Sequence, residues 1–222
     1  MLLACWLPSS AAAAGDTQEV WPELSAYVKT GQLTRLYLDL SYAQERDALS
    51  RSLEMGAYLD VSIKPIVRRQ LRDQEWARKR YLWSRVGYVH VLKGEGNFSS
   101  PSEDRGVVSL LAKFALPNDV WFEGRTRADL RWIEGEYSTR YRFRAEVNRE
   151  WFVWGHAVAP YFHVEWIADS RYGGLSRVLY EGGPELTLSS RFRFEIYGAR
   201  QVDRLPHKSV LTAIGVVAKW YF

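Results

Sequence analysis

From Val120 to Trp132 polar and apolar residues alternate with a period of two. Glu123, Arg125, Arg127, Asp129 and Arg131 share one parity; Phe122, Gly124, Thr126, Ala128, Leu130 and Trp132 share the other. That period belongs to extended strands, whose successive side chains point to opposite faces. The next segment repeats it, with Arg140, Arg142, Arg144, Glu146 and Asn148 against Tyr141, Phe143, Ala145 and Val147. A half-buried soluble strand also alternates, but it turns its polar face to bulk water and seldom needs charge at nearly every polar position. Two adjacent ribbons with a ladder of guanidiniums and carboxylates on one side and an apolar surface on the other fit a transmembrane β-barrel, lipid outside and a wet charged lumen inside. The expected fold class is therefore all-β, an antiparallel up-and-down transmembrane barrel.

The rest of the composition agrees. No apolar run approaches the roughly 18 residues of a membrane helix, so any membrane role falls to strands. The 30 basic and 26 acidic residues leave a net charge of only +4. The basic residues are interleaved with Glu and Asp along strands, which argues against nucleic acid as a partner. The opening MLLACWLPSSAAAA has an apolar stretch, a Pro-Ser break and small residues suited to cleavage, without the basic start of a full leader. Residues 1–14 are read as a truncated signal peptide and 15–222 as the barrel. Leu2-Leu3-Ala4-Cys5 also fits a lipoprotein box, so cleavage or lipidation at Cys5, the only cysteine, stays open. Loss of the leader would remove any disulfide framework or thiolate site.

Alternation marks strands at Val20–Lys29, Leu33–Ala43 and Glu54–Lys64; Tyr81–Lys93 is strand-like but ambiguous in facing, with a bulge expected near Arg85 and Gly87. Pro65–Arg80 has no period of two and reads as a charged connector. Arg105–Leu116, the turn Pro117-Asn118-Asp119 and the next strand put Lys113 across from Glu123. A tight turn at Arg149-Glu150 would set Arg144, Arg142 and Arg140 opposite Gly155, Ala157 and Ala159. Trp151–Ile167 continues as a strand with Tyr161, His163 and Glu165 inward, and Arg171–Ser176 is a loop. In the hairpin Arg177–Leu188 with Arg191–Arg200, Glu185 would meet Arg193. With the closing strand Ser209–Phe222 these segments number eleven; a closed antiparallel barrel wants an even number, which gives ten to twelve. Short turns at 30–32, 117–119, 149–150 and 188–190 alternate with longer connections, as the barrel rule asks. The tryptophans cluster near strand ends, as interfacial girdles would.

The closing strand, Ser209–Phe222, places Val210, Thr212, Ile214, Val216, Ala218, Trp220 and Phe222 on one parity and stops on an aromatic residue. Trp220 and Phe222 resemble the signal by which outer-membrane barrels are handed to their assembly machinery. The expected partners are outer-membrane lipid and that machinery, and the expected location is the bacterial outer membrane.

The runs Glu103-x-Arg105, Arg125–Arg131 and Arg140–Glu146, followed by Pro160-Tyr161 and Glu165, resemble the DUF2490 family of uncharacterised bacterial outer-membrane barrels, over nearly all of Trp21–Phe222. The resemblance implies fold and location, and the family supplies no activity to carry over. The Pro65–Arg80 connector is longer and more charged than usual for it.

The expected lumen ladder comprises Lys113, Glu123, Arg125, Arg127, Asp129, Arg131, Arg140, Arg142, Arg144, Glu146, His163, Glu165, Glu185, Arg193 and Glu195. It has two readings: an ion-pair network that fills the bore, or a narrow basic pore for anions. Two further alternatives are a soluble lipocalin-like barrel, with the opposite polarity, and an outer-membrane enzyme using His163 and Glu165. No serine stands in a nucleophile context beside that pair and no metal-ligand spacing appears, so no catalytic residue, metal or cofactor is expected.

Overall fold

In the computed structural model the described residues are 16–45, 51–64, 79–92, 102–204 and 209–222. The expected leader with Cys5, most of the expected Pro65–Arg80 connector and parts of three expected loops lie outside them. Strands β1 (Asp16–Lys29), β2 (Thr34–Glu45), β3 (Arg51–Ser62), β4 (Leu82–Leu92), β5 (Glu103–Ala115), β6 (Val120–Ile133) and β7 (Glu136–Arg149) pair in chain order. Then come a short β8 (Trp151–Val153), β9 (His156–Asp169), β10 (Gly174–Thr187), β11 (Phe192–Asp203) and β12 (Ser209–Tyr221).

β8 continues β7 in the same register. Asn148 pairs with Tyr161 and Trp151 with Val158, all on β9. β7 with β8 thus counts as one wall element, and the sheet closes as an eleven-stranded barrel through β9–β10 and β12–β1. The count falls within the expected ten to twelve. Evenness is not needed, because the closing pair is parallel: Asp16 lies beside Val210 and Tyr27 beside Tyr221.

The stagger can be followed round the wall. Lys29 pairs with Arg35, then come Asp60, Arg85, Ser109, Arg127, Arg142, Ile167, Arg177, Asp203 and Ser209. Ser209 adjoins Val210, the partner of Asp16, so one circuit returns to β1 offset by about 14 residues. Such an offset tilts the strands, and lateral neighbours in the wall therefore lie at different heights.

Three sequence expectations are corrected. The hairpin after β7 turns at Trp154-Gly155, not at Arg149-Glu150. Both residues have left-handed φ, 50° and 80°, the backbone of a two-residue hairpin turn in which glycine is favoured second. Arg144 consequently faces Glu165, Arg142 faces Ile167 and Arg140 faces Asp169, so the guanidiniums meet carboxylates and an isoleucine rather than small residues. β4 pairs regularly with both neighbours; the irregularity lies in β10, between Leu175 and Arg177, and β10 begins at Gly174 inside the expected Arg171–Ser176 loop. Short turns do not keep to one end: Glu134-Gly135 closes β6 and β7 with φ of 51° and 89° at the end opposite Trp154-Gly155, while the 63–81 connection lies at the Trp154-Gly155 end.

The polarity is that of the sequence reading. Leu130, Phe143 and Ile214 point outward and are 37%, 47% and 61% exposed, while Asp129 and Glu165 are fully buried inside. The bore is not purely charged. Tyr37, Tyr58, Val89, Val91 and Val107 form one inner apolar cluster, and Leu179, Tyr197, Ala199, Ala213 and Val217 another. The inward Tyr58 ring lies over a glycine floor: a Cβ at Gly87 would stand 2.3 Å from its Cδ1, and one at Gly56 2.6 Å from its Cε2. Trp21 packs against the second cluster and Trp83 lines the bore, so the tryptophans do not all belong to outer girdles.

Candidate functional site: the charged bore

The site follows from parity and stagger. Every charged residue of the expected ladder stands on the inward parity of its strand, and the tilt brings residues two strands apart within bonding reach.

Toward the Glu134-Gly135 end, Glu103 is gripped by two guanidiniums. Arg105 Nε donates to it at 2.6 Å, and Arg131 forks onto both its oxygens. Arg131 also reaches Asp169 at 2.5 Å, and Arg105 reaches Glu54 across β4 at 2.9 Å. Arg140 and Arg171 complete the shell of Asp169, at 3.4 and 3.2 Å.

At mid-height Glu165, with no exposed surface, collects three cations. Arg125 lies at 2.7 Å, Arg142 closer still and Arg144 at 3.6 Å. Arg127 Nε donates to Asp129 at 2.5 Å. Asp60, fully buried, accepts from Arg35 at 2.6 Å and Arg85 at 2.7 Å. Those two guanidiniums sit over aromatic rings, Arg35 at 4.4 Å from the Tyr27 centroid and Arg85 at 4.1 Å from that of Tyr37. Tyr221, Tyr27, Tyr37 and Tyr58 stack as a row along the inner wall, with centroids 4.8, 4.7 and 5.1 Å apart.

Toward the Trp154-Gly155 end, Lys113 pairs with Glu123 at 2.7 Å, as expected. Arg193 does reach Glu185, at 2.8 Å, but diagonally, because the residue directly opposite Glu185 is Glu195. Lys219 bridges these two carboxylates and offsets their repulsion. Tyr161 donates toward Glu181 at 3.0 Å and Glu195 at 2.5 Å. His163, fully buried, lies 3.7 Å from Glu181 and 4.0 Å from Glu146, and neither ring nitrogen has a hydrogen-bond partner. Its neighbour Glu165 is committed to guanidiniums, so the pair forms no acid–base dyad. No group of His, Cys, Asp and Glu among the described residues is arranged to hold a metal ion.

All fifteen expected ladder residues thus line the bore, although as several ion-pair clusters rather than one column. Arg35, Asp60, Arg85, Glu181 and Lys219 also belong to the network without having been assigned to the ladder. Arg35 and Asp60 stand on the more polar parity of the expected strands Leu33–Ala43 and Glu54–Lys64. Asp169 lies two residues beyond the expected strand end at Ile167. Trp220 and Phe222 stand on the outward parity of the last strand, and the backbone of Phe222 bonds to Tyr27 and Lys29 of β1 at 2.8 and 3.2 Å, which ties the C-terminus to the closing seam.

Comparison with known proteins found no matching family model and no matching curated protein. Among solved structures the chain is similar to the crystal structure of the β domain of the Bordetella autotransporter BrkA, at 15% identity and a TM-score of 0.52. The match covers 83% of this chain and 82% of that one. The likeness is one of barrel fold.

Proposed function

We propose that this chain is a bacterial outer-membrane β-barrel whose bore is closed by its own ion pairs. The observation that carries the reading is the polarity of the wall: leucines, phenylalanines and isoleucines exposed on the outside, with arginines and carboxylates buried within. In water such an outer surface would be an aggregation liability, whereas in a bilayer it is the favourable contact. A lipocalin-like carrier requires the reverse polarity. A hydrolytic site at His163 and Glu165 would need a substrate to reach two side chains with no exposed surface. Four polar residues on three strands, Asp60, Asp129, His163 and Glu165, are wholly buried inside the wall and support the closure.

The same reading takes the C-terminal strand, with Trp220 and Phe222 outward, as the element offered to the assembly machinery, and lipid as the partner of the outer face. Membership in the DUF2490 family remains part of this proposal, supported by the inward placement of Glu103, Arg105, Arg125, Arg127, Asp129, Arg131, Arg140, Arg142, Arg144 and Glu146.

Expression in a Gram-negative host tests the location. The chain should fractionate with outer membranes and migrate faster on gels before heating than after; recovery as a soluble periplasmic protein would overturn the assignment. Planar bilayers test the closure. The folded barrel should pass no steady unit current, and reproducible anion-selective steps would refute a closed bore.

A further inference from the structure

Between β4, β5 and β6 the bore holds a cavity of about 30 Å³, lined by Trp83, Arg85, Ser109, Leu111, Arg125 and Arg127. Its polar lining consists of an indole, a hydroxyl and three guanidiniums, with no carboxylate. Indole and guanidinium nitrogens can only donate hydrogen bonds. Two of these donors, Trp83 Nε1 and Arg125 Nε, are buried without any acceptor from the protein. A buried unpaired donor is costly, and a buried unpaired charge more so.

The charge balance points the same way. Arg35 and Arg85 share Asp60, Arg127 holds Asp129, and Arg125, Arg142 and Arg144 share Glu165. Six cations therefore meet three carboxylates in this stretch of the bore. The next acidic groups are engaged elsewhere. Glu54 and Glu103 are held by Arg105, with Arg131 also on Glu103; Glu181 accepts from Tyr161, Glu146 from Asn148, and Glu23 and Asp39 share the Ser25 hydroxyl.

We propose that this cavity is a binding site for a small monovalent anion, a halide or the carboxylate of a short acid, taken up between Arg125, Arg127, Trp83 and Ser109. One water-sized sphere needs about 10–15 Å³, so the space suits a halide or one carboxylate group and excludes sugars and larger organic acids. Leu111 forms the apolar wall, which strengthens each donor contact by excluding water. The site requires only the inward orientation of the arginines. It holds whether or not the barrel resides in the outer membrane, and its failure would leave that assignment standing.

The test uses the folded full-length chain in zwitterionic detergent at fixed ionic strength. Sodium bromide and sodium formate are titrated against sodium gluconate, whose anion is too large for the cavity, and the readout is the temperature at which the fast-migrating folded band is lost. A saturable upward shift with bromide or formate, absent with gluconate, is expected; bromide alone would identify the halide as the ligand and formate alone the carboxylate. Arg125→Gln should abolish the shift, and Trp83→Phe, which removes one donor and little volume, should weaken the apparent affinity about tenfold. If Arg125→Gln does not fold, Trp83→Phe and Ser109→Ala carry the test. Crystals grown in bromide should show an anomalous peak among these side chains. Identical transitions in all three salts, or a shift that the folded variants leave unchanged, would overturn the proposal.

Discussion

Glu165→Gln is the most informative single change. The carboxylate has no exposed surface and is the shared partner of Arg125, Arg142 and Arg144, whose side chains are themselves only 18–21% exposed. Glutamine keeps the shape and one acceptor oxygen but removes the charge, leaving three guanidiniums close together in the bore. Breaking a buried ion pair from one side costs about 3–5 kcal/mol, because the orphaned charge stays behind. The residual exposure of the arginines lets them turn partly toward water, so the lower figure, about 3 kcal/mol, is expected. Equilibrium unfolding in urea from detergent micelles measures it. With a slope of about 1–3 kcal/mol per molar, the midpoint should fall by about 1 M or more. Asp203→Asn is the control. It breaks the Arg177–Asp203 pair, 2.6 Å long but with its arginine 38% exposed, and should cost at most about 1 kcal/mol. Adding Arg142→Met to Glu165→Gln should recover part of the loss, since one orphaned cation is removed with its carboxylate. A Glu165→Gln variant no weaker than Asp203→Asn would refute the view that the bore is held by buried, charge-matched clusters.

Ile214→Arg, at the middle of β12 and 61% exposed on the outer face, should lower folding stability in liposomes by about 2–4 kcal/mol; an unchanged midpoint would mean that this face does not meet lipid. Gly87→Ala places a methyl 2.3 Å from the Tyr58 ring and 2.6 Å from the Ala57 carbonyl, and should cost about 1–3 kcal/mol by thermal melting; full stability would show that the ring is free to move aside. Gly155→Val, at φ of 80°, should cost at least about 1 kcal/mol by the same measurement, although nothing crowds the position, and a smaller loss would argue against the left-handed turn. Deleting Phe222 should reduce the folded barrel recovered from outer membranes more than it reduces refolding in detergent; equal losses would place its role in stability alone.

Facing was legible from the sequence wherever one parity was charged and the other apolar. β2, β3, β6 and β7 could be oriented from their residues alone because one parity of each carries nearly all the charge. β4 could not, because both its faces mix polar and apolar residues: Ser84, Val86, Tyr88 and His90 lie outside, Arg85, Val89 and Val91 inside. The apolar clusters of the bore escaped for the same reason. Alternation reports contrast between faces, and a packed lumen reduces that contrast wherever aromatic rings replace ion pairs.

The β7–β9 hairpin shows what alternation leaves undetermined. The expected turn at Arg149-Glu150 and the observed one at Trp154-Gly155 differ by five residues, and moving a hairpin turn by one residue moves every partner by two. Even displacements of partners preserve facing, so the arginines stay inward under either turn and parity could not expose the difference. What changes is the partner: small residues in one register, Glu165 and Asp169 in the other. The distinguishing signal in the sequence is local, Gly155 as the second residue of a two-residue turn, and the polar Arg149-Glu150 pair competes with it. Parity therefore carried the architecture, while the chemistry of the bore depended on a turn. Gly155→Val probes that turn through the backbone and Glu165→Gln through the contact it creates, so a matched loss in both would tie the ion-pair cluster to the hairpin that positions it.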